Sequence, residues 1–182
     1  MSRVLVPLAP GFEEIEAVTV IDILRRAGVE VVVAGTRDEP IEASRGVRIV
    51  ADTTLDAVAS DPFDMVVLPG GADGTEHLKQ NPVLREILDR CRNERRKLAA
   101  ICAAPTVLHA FGLTNGARLT CHPAVAETVT DAELTDERVV VDGDLVTSRA
   151  AGTAMEFAFR LVEILEGPDK RDEVNEGVLA RL

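Results

Sequence analysis

The chain alternates between short unbroken apolar runs and longer stretches whose apolar positions recur every three or four residues. The first run, residues 4–8, predicts a buried strand, and residues 15–27 predict a helix with Ala17, Ile21 and Leu24 on one face, closed by Gly28. Residues 29–35 are nearly continuous in Val, as expected of a strand covered on both faces in a parallel sheet. A third apolar run, 65–68, ends in Pro69-Gly70-Gly71. Asn81-Pro82 then starts a helix on which Leu84, Ile87, Leu88 and Cys91 form one stripe. Residues 98–101 predict a further strand and 103–111 a short helix. Residues 138–141 and 145–147 predict a hairpin around Asp142-Gly143-Asp144, and 151–165 a late helix. Beyond Gly167-Pro168, a charged tail places Val174, Val178 and Leu182 at helical spacing.

Such alternation with short connections predicts an α/β fold. A mostly parallel sheet is packed between helices, with one small hairpin, in a single domain over residues 1–182. In open sheets of this kind ligands bind beyond the carboxyl ends of the strands. The loop after Leu8, the Pro69-Gly70-Gly71 loop and the step from Ile101 into Cys102 all fall there.

Composition narrows the function. Hydrophobic residues at 46% and charged residues at 28% exclude a disordered chain. Aromatics are 3%, with neither Trp nor Tyr, so the core is aliphatic and platforms for stacking nucleotides are missing. A net charge of −11 argues against nucleic acid or anionic membranes as partners. No apolar run approaches the roughly 20 residues of a membrane span, and the amino terminus lacks a secretory pattern, so a cytoplasmic location is expected. Cys91, Cys102 and Cys121 are an odd number without a Cys-x-x-Cys pair, a poor basis for a disulfide framework or a zinc site. With no nucleotide-binding or metal-binding motif in the sequence, no cofactor and no metal are expected.

Cys102 is the candidate nucleophile. It stands between a predicted strand and a predicted helix, flanked by Ala100 and Ala104, small as a sharp strand-to-helix turn demands. The amides and dipole of the new helix would favour a thiolate, an arrangement that lowers a Cys pKa to about 3.5–7.5. The pattern alone is equally consistent with a small buried residue at a strand end. Cys91 extends an apolar stripe and reads as core, while Cys121 reads as strand-end filler that could lie near the site. Glu13, Glu14 and Glu16 crowd one helix start, where the dipole alone accounts for acids. Glu16 differs, since Val20 and Ile23 flank it on the helix and predict desolvation, which raises a carboxyl pKa. His109 should point away from the start of the Cys102 helix and His77 sits in a polar segment, leaving His122 as the histidine at a loop edge near the site. An amide at Gly70 or Gly71, with that of Ala103, could form an oxyanion hole; the alternative is an ordinary tight turn.

Four segments in this order, Gly11-Phe12-Glu13-Glu14-Ile15-Glu16, Val67-Leu68-Pro69-Gly70-Gly71, Ala100-Ile101-Cys102-Ala103-Ala104-Pro105 and Thr147-Ser148-Arg149, resemble the ThiJ/PfpI superfamily. The resemblance is closest to its parkinsonism-associated DJ-one branch and runs from Arg3 to about Glu166. It implies a flavodoxin-like three-layer sandwich, a homodimer, and a reactive Cys102 with Glu16 as its protonated partner and His122 nearby. It further implies that the Gly71 and Ala103 amides form the oxyanion site, and that Asp22, Arg26 and Arg45 lie at or near a dimer interface, Arg45 approaching the partner's pocket. Ala104 departs from the branch's usual Gly, Ala150-Ala151 from a Gly-Pro pair, and Val50 stands near the place of a secondary cysteine. Ala103 excludes the protease-like branch, which has a His there, and the absence of a downstream His-x-Glu pair excludes glutamine amidotransferases.

By this resemblance the expected function is a cofactor-free, cysteine-dependent glyoxalase or protein deglycase acting on methylglyoxal, glyoxal or early glycation adducts. The alternatives are a redox-sensing stress-response protein or chaperone oxidised at Cys102, and a catalytically silent interaction module.

Overall fold

In the computed structural model, which describes residues 1–181, seven strands form one sheet. In chain order the elements are β1 (Arg3–Leu8), α1 (Glu14–Arg26), β2 (Glu30–Gly35), the two-residue strands β3 (Ile41–Glu42), β4 (Arg48–Ile49) and β5 (Thr53–Thr54), and β6 (Met65–Leu68). Then follow α2 (Ala72–Lys79), α3 (Pro82–Asn93), β7 (Lys97–Ile101), α4 (Pro105–Ala110), β8 (Arg118–Leu119) and β9 (Glu133–Leu134). The last are β10 (Val139–Asp142), β11 (Leu145–Ser148), α5 (Ala154–Glu166) and α6 (Pro168–Val178). The sheet runs β10-β11-β7-β6-β1-β2-β5 and is parallel throughout, except that β10 pairs antiparallel with β11 across the turn at Gly143.

Period-two alternation divides the strands between two apolar layers. Val4, Val6, Leu8, Met65, Val67, Ala99 and Ile101 face α1, α5 and α6, whereas Leu5, Val66, Leu68, Leu98 and Ala100 face α2, α3 and α4. This is the expected three-layer α/β sandwich with a mostly parallel sheet. Helix ends follow local chemistry: Asn81 accepts the Leu84 amide at 2.9 Å ahead of Pro82, and Gly28, at φ +81°, takes the left-handed turn that closes α1.

Three differences from the sequence reading have simple causes. The helix expected over 103–111 spans Pro105–Ala110, because residues 102–104 form the turn that carries Cys102. Residues 151–153 form a 3₁₀ turn ahead of α5, and α2 occupies a segment whose apolar content was too low to show a face. Val174 is buried in the tail helix, Val178 packs against the same layer, and Leu182 lies outside the described residues. No helix among the described residues is long and apolar enough to cross a membrane.

Parallel register brings the carboxyl ends together. Leu8 pairs Gly35, Leu68 pairs Ala100, and Ile101 pairs Ser148. The loops that leave these strands therefore meet at one rim of the sheet.

Candidate active site

Cys102 is the first residue past β7, and its φ of +64° lies in the left-handed region, which a side chain occupies at a cost of about 1–2 kcal/mol. The turn is held from both sides. The Cys102 amide donates to the Ser148 carbonyl at 2.9 Å, and its own carbonyl accepts from the His122 amide at 2.8 Å. The Ala104 amide closes back on Ile101 at 3.0 Å, and Pro105 occupies the first turn of α4 without losing a helical bond. The result is a strand-to-helix elbow that lifts the sulfur to partial exposure.

The Gly71 and Ala103 amides lie near enough to the Cys102 sulfur to favour its ionised form. Gly71 sits at φ +96°, and a Cβ there would come within 2.2 Å of the Gly11 carbonyl oxygen, so only glycine lets this loop close on the β1–α1 loop.

Glu16 lies beneath the sulfur, fully buried. Its Oε2 accepts the Gly70 amide at 2.7 Å, Oε1 has no hydrogen-bond partner among the described residues, and the carboxyl group lies against the Cys102 thiol. Burial pushes the Glu16 carboxyl up to about 7, with the Glu13 charge adding to the rise and the Gly70 amide and Cys102 opposing it. Glu13 caps α1 by accepting the Glu16 amide at 2.8 Å, and its own amide donates to the Gly70 carbonyl at 2.9 Å, which locks the two loops together.

The sulfur does not have the depressed pKa that its place at a helix start suggests. Burial, then the Glu16 charge and its hydrogen bond, push the Cys102 thiol up to about 12 against the pull of the Ala103 and Gly71 amides. Two of these three raising influences exist only while Glu16 is ionised. The thiol and the carboxyl therefore titrate as a pair, and a thiolate forms readily only with the proton on Glu16.

A cleft of about 380 Å³ opens over the sulfur, lined also by Ser44, Arg45, Asp73, His122 and Val125. His122 Nδ1 accepts the Ala124 amide at 3.2 Å, which leaves the ring proton on Nε2. Arg45 reaches the cleft of its own chain because Glu14 holds the preceding loop, accepting the Ser44 hydroxyl at 3.0 Å and the Arg45 amide at 2.9 Å. Burial pushes the Glu14 carboxyl up, but its own backbone amide, these two bonds and the Val47 backbone together outweigh it and hold the group below its ordinary range.

The structure thus brings Cys102, Glu16, Gly71, Ala103, His122 and Arg45 to one place. Asp22 and Arg26 are elsewhere, joined at 2.7 Å on the outer face of α1. Cys91 and Cys121 are buried in the layer under α3 and α4, whereas Cys102 packs against the opposite layer. His109 bonds Asp131 at 2.8 Å, which ties α4 to the following loop, and His77 is exposed on α2. Ser44 and Asp73 were not singled out in the sequence, since nothing local marks them and loop packing alone delivers them. Among the described residues no group of three His, Cys, Asp or Glu side chains could hold a metal ion.

Comparison with known proteins agrees with this architecture. The model of the DJ-1/PfpI family matches residues 2–164. The chain is 44% identical to protein dj-1beta of Drosophila melanogaster over 178 residues, 96% of this chain and 95% of that one. The crystal structure of that fly protein superposes with a TM-score of 0.97, covering 100% of both chains. A Caenorhabditis elegans protein named glutathione-independent glyoxalase DJR-1.2 is 40% identical over 164 residues, 89% of this chain and 87% of its own length. Toxoplasma gondii DJ-1, solved in an oxidized form, is 36% identical with a TM-score of 0.96 and full coverage of both chains.

Proposed function

The chain belongs to the DJ-1/PfpI family, and from that premise we propose that it is a cofactor-free glyoxalase that uses Cys102 to convert small dicarbonyls such as methylglyoxal to hydroxy acids. The observation that carries this reading is a partly exposed thiol in a cleft lined by Gly71 and Ala103, lying against a fully buried carboxyl. The relative named as a glutathione-independent glyoxalase supports it.

The sulfur, its proton held by Glu16, adds to the aldehyde carbon of methylglyoxal. Charge that develops on the carbonyl oxygen meets the Gly71 and Ala103 amides, and Glu16 delivers its proton to give a hemithioacetal. The Glu16 carboxylate, with a pKa raised to about 7, is then a base suited to neutral pH. It removes the carbon-bound proton of the former aldehyde and returns it to the neighbouring carbon, while His122 moves protons between the oxygens. The product is a lactyl thioester on Cys102. Water cleaves it to lactate and one proton and restores the ionised sulfur with the proton on Glu16. One methylglyoxal and one water give one lactate and one proton, with no redox partner. The same addition and release applied to early glycation adducts would make the protein a deglycase.

Lactate formed from methylglyoxal without glutathione, followed by NMR, tests the proposal. It should vanish in Cys102→Ser, and equal rates in wild type and variant overturn the reading. For a deglycase, release from a preformed adduct must persist after free dicarbonyl is removed.

A second reading, a redox-responsive stress protein or chaperone, is favoured by Glu16 Oε1, a buried oxygen that when protonated can donate to an oxidised sulfur. The oxidized form of the Toxoplasma relative supports it. Mild peroxide should add two oxygens at Cys102 by intact mass and peptide mapping, and oxidation confined to methionine or Cys91 counts against it. We also propose a homodimer through the α1 face, where Ile15 and Val18 stand exposed beside the Asp22–Arg26 pair. Val18→Asp should then lower the mass measured by sedimentation equilibrium.

A further inference from the structure

At the opposite rim of the sheet from Cys102, a second cavity of about 310 Å³ lies between the end of α3 and the β10–β11 hairpin. Its floor is apolar. Leu98 and Leu145 are register partners on β7 and β11, and Leu113 closes the space beside them, all three buried.

The walls are charged, and the charges are unevenly committed. Arg96 pairs with Asp64 at 2.8 Å, and Lys97 pairs with Asp144 at 2.7 Å. Asp142, on the hairpin wall, accepts the Arg118 amide at 2.7 Å. Arg92 gives one nitrogen to the Leu113 carbonyl at 3.1 Å and, among the described residues, has no acidic partner. Arg95 makes neither an ion pair nor a side-chain hydrogen bond among the described residues. In a chain with 31 acidic and 20 basic residues, two guanidinium groups on one cavity wall stand without an acidic partner among the described residues.

Structure alone accounts for only one of them. Arg92 is in the last turn of α3, where positive charge offsets the negative end of the helix. Arg95 lies past that end at φ +55°, a left-handed position that favours glycine or asparagine. An arginine there carries backbone strain, and its side chain makes no hydrogen bond or ion pair among the described residues to offset it. Its side chain instead lines the cavity beside Arg92.

We propose that this cavity binds a small organic oxyanion, a carboxylate or phosphate monoester with a compact apolar body, held by Arg92 and Arg95 with the body on Leu98, Leu113 and Leu145. A guanidinium fork matches two oxygens of either group, which is why both chemistries are served by the same pair. The site is separate from the Cys102 cleft and does not depend on the glyoxalase reading.

The test titrates benzoate and phenyl phosphate in separate arms against the ¹⁵N-labelled full chain, with chloride holding the ionic strength constant. Binding should give saturable shifts at the Leu98 and Leu145 amides and the Arg92 and Arg95 side-chain nitrogens, with none around Cys102. The stronger arm identifies the oxyanion. Arg95→Gln should weaken it about tenfold or more, Arg92→Gln/Arg95→Gln should abolish it, and Cys102→Ser should bind like wild type. Both arms failing to saturate, undiminished binding in the double variant, or shifts centred on the Cys102 cleft would each overturn the proposal. The spectra away from the cavity report that the variants are folded.

Discussion

Replacing Glu16 with Gln should make the protein more stable, but only at high pH. The Glu16 carboxyl is fully buried and its pKa is raised from an ordinary 4.5 to about 7, chiefly by burial. The folded state thus binds the proton more tightly than the unfolded chain does. Between those two values the folded protein carries more protons, so stability falls as pH rises through the window and stays lowered above it. At about 1.4 kcal/mol per tenfold change in proton affinity, the whole effect is about 3 kcal/mol. Gln keeps an oxygen for the Gly70 amide, now 2.7 Å from Oε2, and has no proton to lose. The assay is urea unfolding at about pH 4 and about pH 8, repeated on a Cys102→Ser background so that the thiol does not contribute. The stability of the variant relative to wild type should grow by about 3 kcal/mol from the lower to the higher pH. Parallel pH dependences in the two proteins would refute the buried, proton-holding Glu16 and the pairing argument with it. In the same variant Cys102 should still alkylate, because the Gln amide can donate to the sulfur, while lactate formation falls about 10²–10⁴-fold.

Gly70→Ala would place a Cβ 2.6 Å from Glu16 Oε2 and 2.8 Å from the Cys102 Cβ. It should cost about 1–3 kcal/mol in urea unfolding and slow Cys102 alkylation, whereas an unchanged alkylation rate would show that the gap is slack. Phe157→Ala empties a fully buried position on α5 and should cost about 3–5 kcal/mol in the same assay without changing the pH dependence of alkylation. Burial pushes the Asp131 carboxyl up, but hydrogen bonds from Thr114 and His109 outweigh it and hold the group below its ordinary range. That stabilisation is present above the unfolded pKa and lost as pH falls through the folded one, so the deficit of Asp131→Asn, followed by thermal unfolding, should shrink on acidification.

The parts of the fold legible in the sequence are those fixed by short-range chemistry. The valine run of β2 and the Asn81-Pro82 start of α3 each carry a reason within a few residues. The two-residue strands β3, β4, β8 and β9 carry none, because only pairing with a distant segment makes them strands. Helix α2 was hidden for another reason: apart from Leu78 its buried residues are Gly74 and Thr75, which leave no apolar stripe. At the site, the small residues around Cys102 marked the elbow, and Val20 and Ile23 marked Glu16 as desolvated. What spacing did not contain was the sign of the outcome. A helix start lowers a thiol pKa when amides and dipole act alone, but here burial, joined by a carboxyl brought from 86 positions earlier in the chain, dominates.

That dominance explains why the rim is built from residues that each cost stability. A cysteine with a left-handed backbone and a buried carboxyl with one unpartnered oxygen are both unfavourable in isolation. Their common effect is to make a second negative charge expensive, since neither Glu16 nor Cys102 can ionise without opposing the other. A pair limited to one charge must hand a proton across whenever the sulfur gains or loses a bond. Adding to a carbonyl requires that transfer in one direction, and releasing an acyl group requires it in the other. The two aliphatic layers on either side of the sheet offset the cost, and they meet the cleft at its edge, through Cys102 on one side and Val125 on the other.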